Sequence, residues 1–84
     1  MLVVMNEHHF LLITAADCHL CARARDVLAS LSCKAREVDV ASVEAQELAA
    51  AGVPLVLLPV LWDGERVLAY GRFSERALSR RLGV

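Results

Sequence analysis

Two cysteines three positions apart, Cys18 and Cys21, are the residues of this 84-residue sequence best suited to chemistry. A thiolate attacks disulfides, and a second thiol one helical turn later can attack the resulting mixed disulfide and release the product. An apolar run precedes the pair and a helical pattern follows it. We therefore expect Cys18 at a helix N-terminus, where unpaired N–H groups favour an anion. Such placement lowers a thiol pKa from about 8.5 towards about 3.5–7.5, which makes Cys18 the expected nucleophile and Cys21 the resolving thiol.

Two other interpretations fit the same cysteine spacing. Zinc sites also use it, but a structural zinc needs four ligands. Cys33, His19, His8 and His9 are the remaining donors, and none forms a second pair of this spacing. We interpret His8 and His9 as an exposed polar break and Cys33 as a half-buried free thiol. A buried structural pair is the other alternative, but a position between a strand and a helix favours redox chemistry.

The first half of the chain predicts two strands and two helices. The apolar run 10–14 is typical of a strand buried on both faces. Apolar residues then recur at spacings of three and four over residues 18–31, which predicts a helix. Residues 35–40 predict a second strand. Ser42 is the expected N-cap of a second helix that stops at Gly52.

The second half begins with two apolar runs, 53–58 and 60–62. Asp63-Gly64 predicts a two-residue hairpin turn, and residues 65–70 predict the returning strand. Ser74 is the expected N-cap of a final helix closed by Gly83. The crossover in the first half implies parallel strands and the hairpin adds antiparallel ones. The sequence therefore predicts one α/β domain over residues 1–84, with a four-stranded mixed sheet flanked by three helices.

Composition excludes several classes of function. Apolar residues make up 57% of the chain, above the usual share of about 45–50%, which predicts a packed core. The net charge of −1, without runs of like charge, argues against nucleic acid or an acidic membrane as partner. No apolar stretch reaches the roughly 20 residues of a membrane span. Residues 1–5 lack the basic flank of a secretory signal, so we expect a reducing, cytoplasmic location for the three cysteines.

Residues 10–21, FLLITAADCHLC, resemble the opening of the glutaredoxin-like family of short bacterial thioredoxin-fold proteins, in which a strand leads into Cys-His-Leu-Cys. Residues 38–40 are similar to the end of that family's second strand. Residues 58–61, followed by Asp63-Gly64, resemble its Val-Pro-Val-Leu segment and turn, and residues 71–74 lead into the last helix as in the family. The resemblance implies a thioredoxin/glutaredoxin-like fold and a thiol–disulfide oxidoreductase acting on protein or small-molecule disulfides.

The resemblance also implies a cis proline that presents backbone groups to an extended substrate. Pro54 and Pro59 are the two candidates. Pro59 is favoured because a strand, an Asp-Gly turn and the last helix follow it in the family's order. The predicted substrate-binding residues are accordingly His19, Leu58 and Pro59. Segment 53–58 is a longer connection than the family usually has before this proline.

True glutaredoxins differ from this chain where they bind glutathione. They carry Cys-Pro-Tyr-Cys and a Gly-Gly pair followed by acidic residues, whereas here Arg72 follows Gly71, and only Glu75 offers a nearby acid. We therefore predict poor glutathione binding and no cofactor other than the redox-active cysteine pair. No oligomeric state is predicted. The alternative function is a non-catalytic binding module that holds a metal or Fe–S centre through the cysteines.

Overall fold

A computed structural model of the protein describes residues 10–83. Its elements are, in order, β1 (Leu11–Thr14), α1 (His19–Ser30), β2 (Arg36–Asp39), α2 (Val43–Ala50), β3 (Val60–Trp62), β4 (Val67–Tyr70) and α3 (Glu75–Leu82). The strands form one sheet in the order β2-β1-β3-β4. β1 runs parallel to β2 and antiparallel to β3, and β3 runs antiparallel to β4. The predicted α/β fold, with a four-stranded mixed sheet and three helices, is confirmed.

The two faces of the sheet are covered by different helices because side chains alternate along each strand. Leu12 and Leu61 point to the face covered by α1 and α3, in a buried cluster completed by Ala24, Val27, Leu28, Phe73 and Leu78. The neighbouring positions Ile13 and Val60 point to the opposite face, where they pack with Ala45 of α2. The continuous apolar run of β1 is therefore explained by burial on both faces, as the sequence predicted.

Two serines begin helices as expected. The hydroxyl of Ser42 accepts a hydrogen bond from the Ala45 N–H at 3.1 Å, and that of Ser74 accepts one from the Ala77 N–H at 3.2 Å. Each bond satisfies one of the donors left without a partner at a helix N-terminus. α3 ends at Gly83, whose φ of 76° is the left-handed conformation that glycine adopts without strain.

The hairpin between β3 and β4 differs from its prediction. Four residues, 63–66, separate the strands, and the Asp63 N–H donates to the Arg66 carbonyl at 3.1 Å. The Asp63 carboxylate accepts hydrogen bonds from the N–H groups of Glu65 and Arg66, both at 2.8 Å. The side chain of Asp63 thus forms an Asx turn around Gly64 and Glu65. The expected two-residue turn at Asp63-Gly64 was wrong, and the returning strand begins at Val67.

Residues 1–9 lie outside the described part of the chain, and the interpretation of His8 and His9 lies there with them. Between residues 10 and 83, none of the three helices has the length and apolar character to cross a membrane.

Candidate active site

Cys18 occupies the N-cap position of α1. Its backbone is extended, with φ −110° and ψ 103°, and its sulfur accepts a hydrogen bond from the Cys21 N–H at 3.2 Å. Asp17, at a left-handed φ of 57°, lies in the turn by which the chain leaves β1 and enters the helix. The Cys18 sulfur consequently contacts the positive end of the helix, the place at which a thiolate is stabilised.

The sulfurs of Cys18 and Cys21 are joined as a disulfide across the first turn of α1. Their Cα atoms are 5.3 Å apart, inside the usual range of about 4.4–6.8 Å. Cys18 is half-buried, whereas Cys21 is 1% exposed. The prediction that Cys18 is the more exposed cysteine is confirmed. The first turn of α1 contains no acidic side chain, and the acid adjacent to Cys18 in the sequence is the exposed Asp17.

The cis peptide bond lies between Leu58 and Pro59, as expected, and the Pro54 bond is trans. β1 and β3 pair Ile13 with Val60, so the next step of the register brings Pro59 level with Thr14. The residues after Thr14 lead directly to Cys18. The cis proline and the cysteine pair therefore lie at the same end of the sheet.

The predicted substrate-binding residues differ in exposure. His19 is exposed in the first turn of α1, Leu58 is half-buried, and Pro59 is less than 2% exposed. The Pro59 carbonyl accepts a hydrogen bond from the Gly71 N–H at 2.9 Å, which extends the β3–β4 pairing by one step. With its side chain buried, Pro59 could meet a substrate only through its backbone or through the neighbouring Leu58.

A contact that the sequence did not indicate joins α1 to the segment before α3. The Arg23 side chain donates from Nε to the Phe73 carbonyl at 3.0 Å, across 50 positions of sequence. Arg23 stands two residues after Cys21, so the bond holds the Gly71–Phe73 segment beside the first turns of α1. Arg72 is exposed within that segment. The cysteine pair, the Leu58–Pro59 segment and the Gly71–Phe73 segment are distant in sequence, and they thus meet at one end of the sheet.

Cys33 lies beyond the opposite end of α1 and is a half-buried free thiol, as expected. Burial raises the pKa of its thiol. Within residues 10–83, no three or more His, Cys, Asp or Glu side chains are grouped so that they could hold a metal ion. Within the described residues, Cys33 therefore lies neither beside the cysteine pair nor in a possible metal site.

Apolar side chains near the cis proline form a feature that sequence reasoning missed. Pro54, Val56, Leu57 and Tyr70 line an open cavity of about 260 Å³. The available signal was the apolar run 53–58, which has no regular secondary structure here and serves as the connection into β3. An apolar loop is unusual, because loops normally face water.

Together, the sheet order, the cis proline and the cysteine pair at a helix N-terminus define a small α/β protein of thioredoxin-like architecture with a CxxC-type pair. No protein-family model matches this chain, and no curated protein sequence matches it significantly.

Proposed function

We propose that this chain is a thiol–disulfide oxidoreductase, with Cys18 as the nucleophile and Cys21 as the resolving thiol. The observation that carries the proposal is the Cys18–Cys21 disulfide at the N-terminus of α1, with its more exposed sulfur at the N-cap. The resemblance of the sequence around this pair to glutaredoxin-like proteins supports the same chemistry.

The reaction consists of two exchanges. The Cys18 thiolate attacks one sulfur of a substrate disulfide, so that a mixed disulfide forms and the other substrate sulfur leaves as a thiolate. Cys21 then loses its proton and attacks the Cys18 sulfur, which releases the second substrate thiol and forms the Cys18–Cys21 disulfide. Two electrons pass from the protein to the substrate. A thiol or dithiol reductant must reduce the pair before the next turnover.

The expected substrates are protein disulfides or low-molecular-weight disulfides. The backbone at Leu58 and Pro59 lies at the cysteine end of the sheet, where it can align an extended substrate. His19 is exposed directly beside Cys18 and can contact the same substrate.

Glutathione is expected to bind poorly, for a reason that concerns Glu75. This is the acid that would have to hold the glutathione ammonium group, but its carboxylate accepts a hydrogen bond from the Ser30 hydroxyl at 2.9 Å. Ser30 is the last residue of α1, roughly 16 Å from the first at about 1.5 Å per residue. Glu75 therefore points away from Cys18, and Arg72 occupies the position of the second glycine.

The proposal is tested by measuring the reduction potential of the Cys18–Cys21 pair and the turnover of a small aromatic disulfide with dithiothreitol as reductant. We expect the wild-type protein to turn the disulfide over and the Cys18→Ser variant to be at least about 1000-fold slower. The turnover rate of the matched Cys33→Ser variant should stay within about twofold of the wild-type rate. Purified protein that contains stoichiometric metal or is coloured, and shows no disulfide exchange, would instead support the metal-holding module.

A second assay concerns glutathione. Glutathione-coupled reduction of a mixed disulfide is compared with dithiothreitol-driven reduction of a protein disulfide, on one preparation. We expect the protein disulfide to be the better substrate. Saturable glutathione-dependent turnover that disappears in Cys18→Ser would contradict this and identify a glutaredoxin activity.

A further inference from the structure

An exposed arginine, Arg72, lies between two residues that are each hydrogen-bonded to the site. On one side of it, the Gly71 N–H donates to the carbonyl of the cis proline, Pro59, at 2.9 Å. On the other side, the Phe73 carbonyl accepts a hydrogen bond from the Arg23 side chain at 3.0 Å. Gly71 and Phe73 are both buried. The backbone of Arg72 is therefore held between the cis proline and α1, while its side chain faces water.

This arginine lies on the face of the sheet that carries the cysteine helix. Phe73 belongs to the buried cluster beneath α1, together with Ala24 of that helix. Its bonded partner Arg23 stands five residues after Cys18, and helix geometry puts the two Cα atoms roughly 9 Å apart. Arg72 precedes Phe73 directly, with about 3.8 Å between their Cα atoms. The Gly71–Phe73 segment thus flanks the first two turns of α1, in which the cysteines lie.

The positive charge of Arg72 is not neutralised within the described part of the chain. Arg25 and Arg36 each form an ion pair with a glutamate, whereas neither Arg72 nor Arg23 forms one among residues 10–83. Glu75, three residues after Arg72, is hydrogen-bonded instead to the far end of α1. Two cations without ion-pair partners beside the site attract an approaching anion.

Two exposed acids restrict where this attraction acts. Asp17 directly precedes Cys18, and Asp26 lies three residues after Arg23 on α1. A substrate carboxylate is repelled beside either acid and attracted beside Arg72. Charges interact over roughly 8 Å at physiological ionic strength, a distance that two or three extended residues span. The favoured carboxylate therefore belongs to residues close to the attacked cysteine, on one side of it.

We propose that Arg72 is a specificity-determining residue, which selects disulfide-bonded polypeptides with an acidic residue one to three positions from the cysteine that Cys18 attacks. A guanidinium group can donate two parallel hydrogen bonds to such a carboxylate. A carboxylate that shares its residue with an ammonium group, as in glutathione, gains less because the ammonium is repelled. The inference rests on the proposed function and deepens it, since it assigns the substrate class: protein disulfides flanked by acidic residues.

The test compares synthetic disulfide peptides that differ in one residue. Each carries Glu, Gln or Lys at one position within three residues of the reactive cysteine, before or after it. At the best position, we expect the wild-type protein to prefer Glu over Gln about three- to fivefold in kcat/KM, mainly through KM, as for an exposed ion pair. The preference should disappear in 1 M salt, where the Debye length falls to about 3 Å.

Variants of Arg72 locate the preference. Arg72→Glu should favour the Lys peptide over the Glu peptide. Arg72→Lys, which keeps the charge but not the paired hydrogen bonds, should keep a preference for Glu. Arg66→Glu makes the same charge change in the exposed turn at the opposite end of the sheet. This control should keep both the preference and the wild-type rate with the Gln peptide.

The outcomes separate the inference from the proposed function. Equal kcat/KM for the Glu and Gln peptides at every position, or a preference that survives in Arg72→Glu or in 1 M salt, would overturn the inference even where all peptides are reduced. An equal loss in Arg66→Glu would also overturn it, since net charge would then be the cause. If no peptide is reduced, the proposed function fails and the inference fails with it. Should Arg72→Glu not fold, Arg72→Gln replaces it and must lose the preference.

Discussion

The two ends of helix α1 place cysteines in different surroundings. At the N-terminal end, Cys18 accepts a hydrogen bond from the Cys21 N–H and is joined to the Cys21 sulfur. Beyond the C-terminal end, Cys33 stands alone and half-buried. Backbone N–H groups point out of the first end and carbonyl groups out of the second, so a thiolate is favoured at one and disfavoured at the other.

The packing around Cys33, beyond the C-terminal end of α1, strengthens the contrast between the two cysteine environments. The Cys33 N–H donates to the Leu28 carbonyl at 2.9 Å, and its side chain packs against the cluster that contains Leu28. Desolvation favours the neutral thiol, which is why the pKa of Cys33 is raised. The two cysteines thus differ in their position on the helix and in their surroundings, and four experiments test whether they also differ in reactivity.

The largest expected effect is the capture of a substrate on Cys18. In Cys21→Ser, attack by Cys18 forms a mixed disulfide that no resolving thiol can release. Intact mass spectrometry after brief exposure to a small disulfide should show close to one adduct per chain, located on Cys18. Cys33→Ser, the matched control, should show none because Cys21 is present. An adduct on Cys33, or none at all in Cys21→Ser, would contradict the assignment.

A change in the last turn of α1 should affect Cys33 without affecting Cys18. Leu28→Ala truncates a member of the buried cluster against which Cys33 packs, and we expect the free energy of unfolding to fall by about 2–4 kcal/mol. Alkylation of Cys33 in the folded protein should accelerate, while that of reduced Cys18 should not change. Urea unfolding and timed alkylation measure the two quantities. Ala29→Ser, at the exposed neighbouring position, should leave the alkylation of Cys33 as slow as in the wild type.

The reduced protein should show the contrast directly in its alkylation rates. At pH 7, iodoacetamide should react with Cys18 at least about tenfold faster than with Cys33, because only the thiolate is alkylated. Since the pKa of Cys33 is raised by burial, its rate should increase only at higher pH than in denaturant. Peptide mapping at several pH values provides the measurement. Equal rates for both cysteines in the folded chain would remove the basis of the comparison.

The smallest effect concerns the ion pair that ties the middle of α1 to β2. Arg25 donates to both carboxylate oxygens of Glu37, at 2.9 and 2.7 Å, and Thr14 donates to one of them at 3.0 Å. The hydrogen bonds from Arg25 lower the pKa of Glu37. The stabilisation is therefore present above the ordinary glutamate pKa and is lost as the pH falls through the lowered one.

Glu37→Gln should lower the free energy of unfolding by less than about 1 kcal/mol at pH 7, because the Arg25 and Glu37 side chains are 50% and 38% exposed and water screens the pair. The difference in unfolding free energy between Glu37→Gln and the wild type should shrink towards zero in acid, where Glu37 is protonated in both folded and unfolded chains. Urea unfolding at pH 7 and at low pH measures it, with Glu47→Gln on α2 as the control. A difference that persists in acid would show that the carboxylate acts through packing and not through its charge.

Local patterns in the sequence predicted most of the elements and the centre of the site. Apolar spacing identified β1 and α1, and serine side chains identified the starts of α2 and α3, because caps and periodicity depend on neighbours within one turn. The position of the cysteine pair between a strand and a helix followed from the same patterns. The cis bond at Pro59 was also correct, although it depended on the resemblance to a family as well as on the order of elements.

Only the tertiary structure decided which distant residues meet. The Arg23 bond to the Phe73 carbonyl and the meeting of Tyr70 with the loop before Pro59 join positions that no local pattern relates. The turn at Asp63 was misjudged because its carboxylate, and not its dipeptide with Gly64, organises the loop. Sequence determined the position of Cys18 at the helix N-terminus, because the hydrogen bonds of a helix end are local. The surface beside it depends on strand register, which is settled only when the sheet assembles.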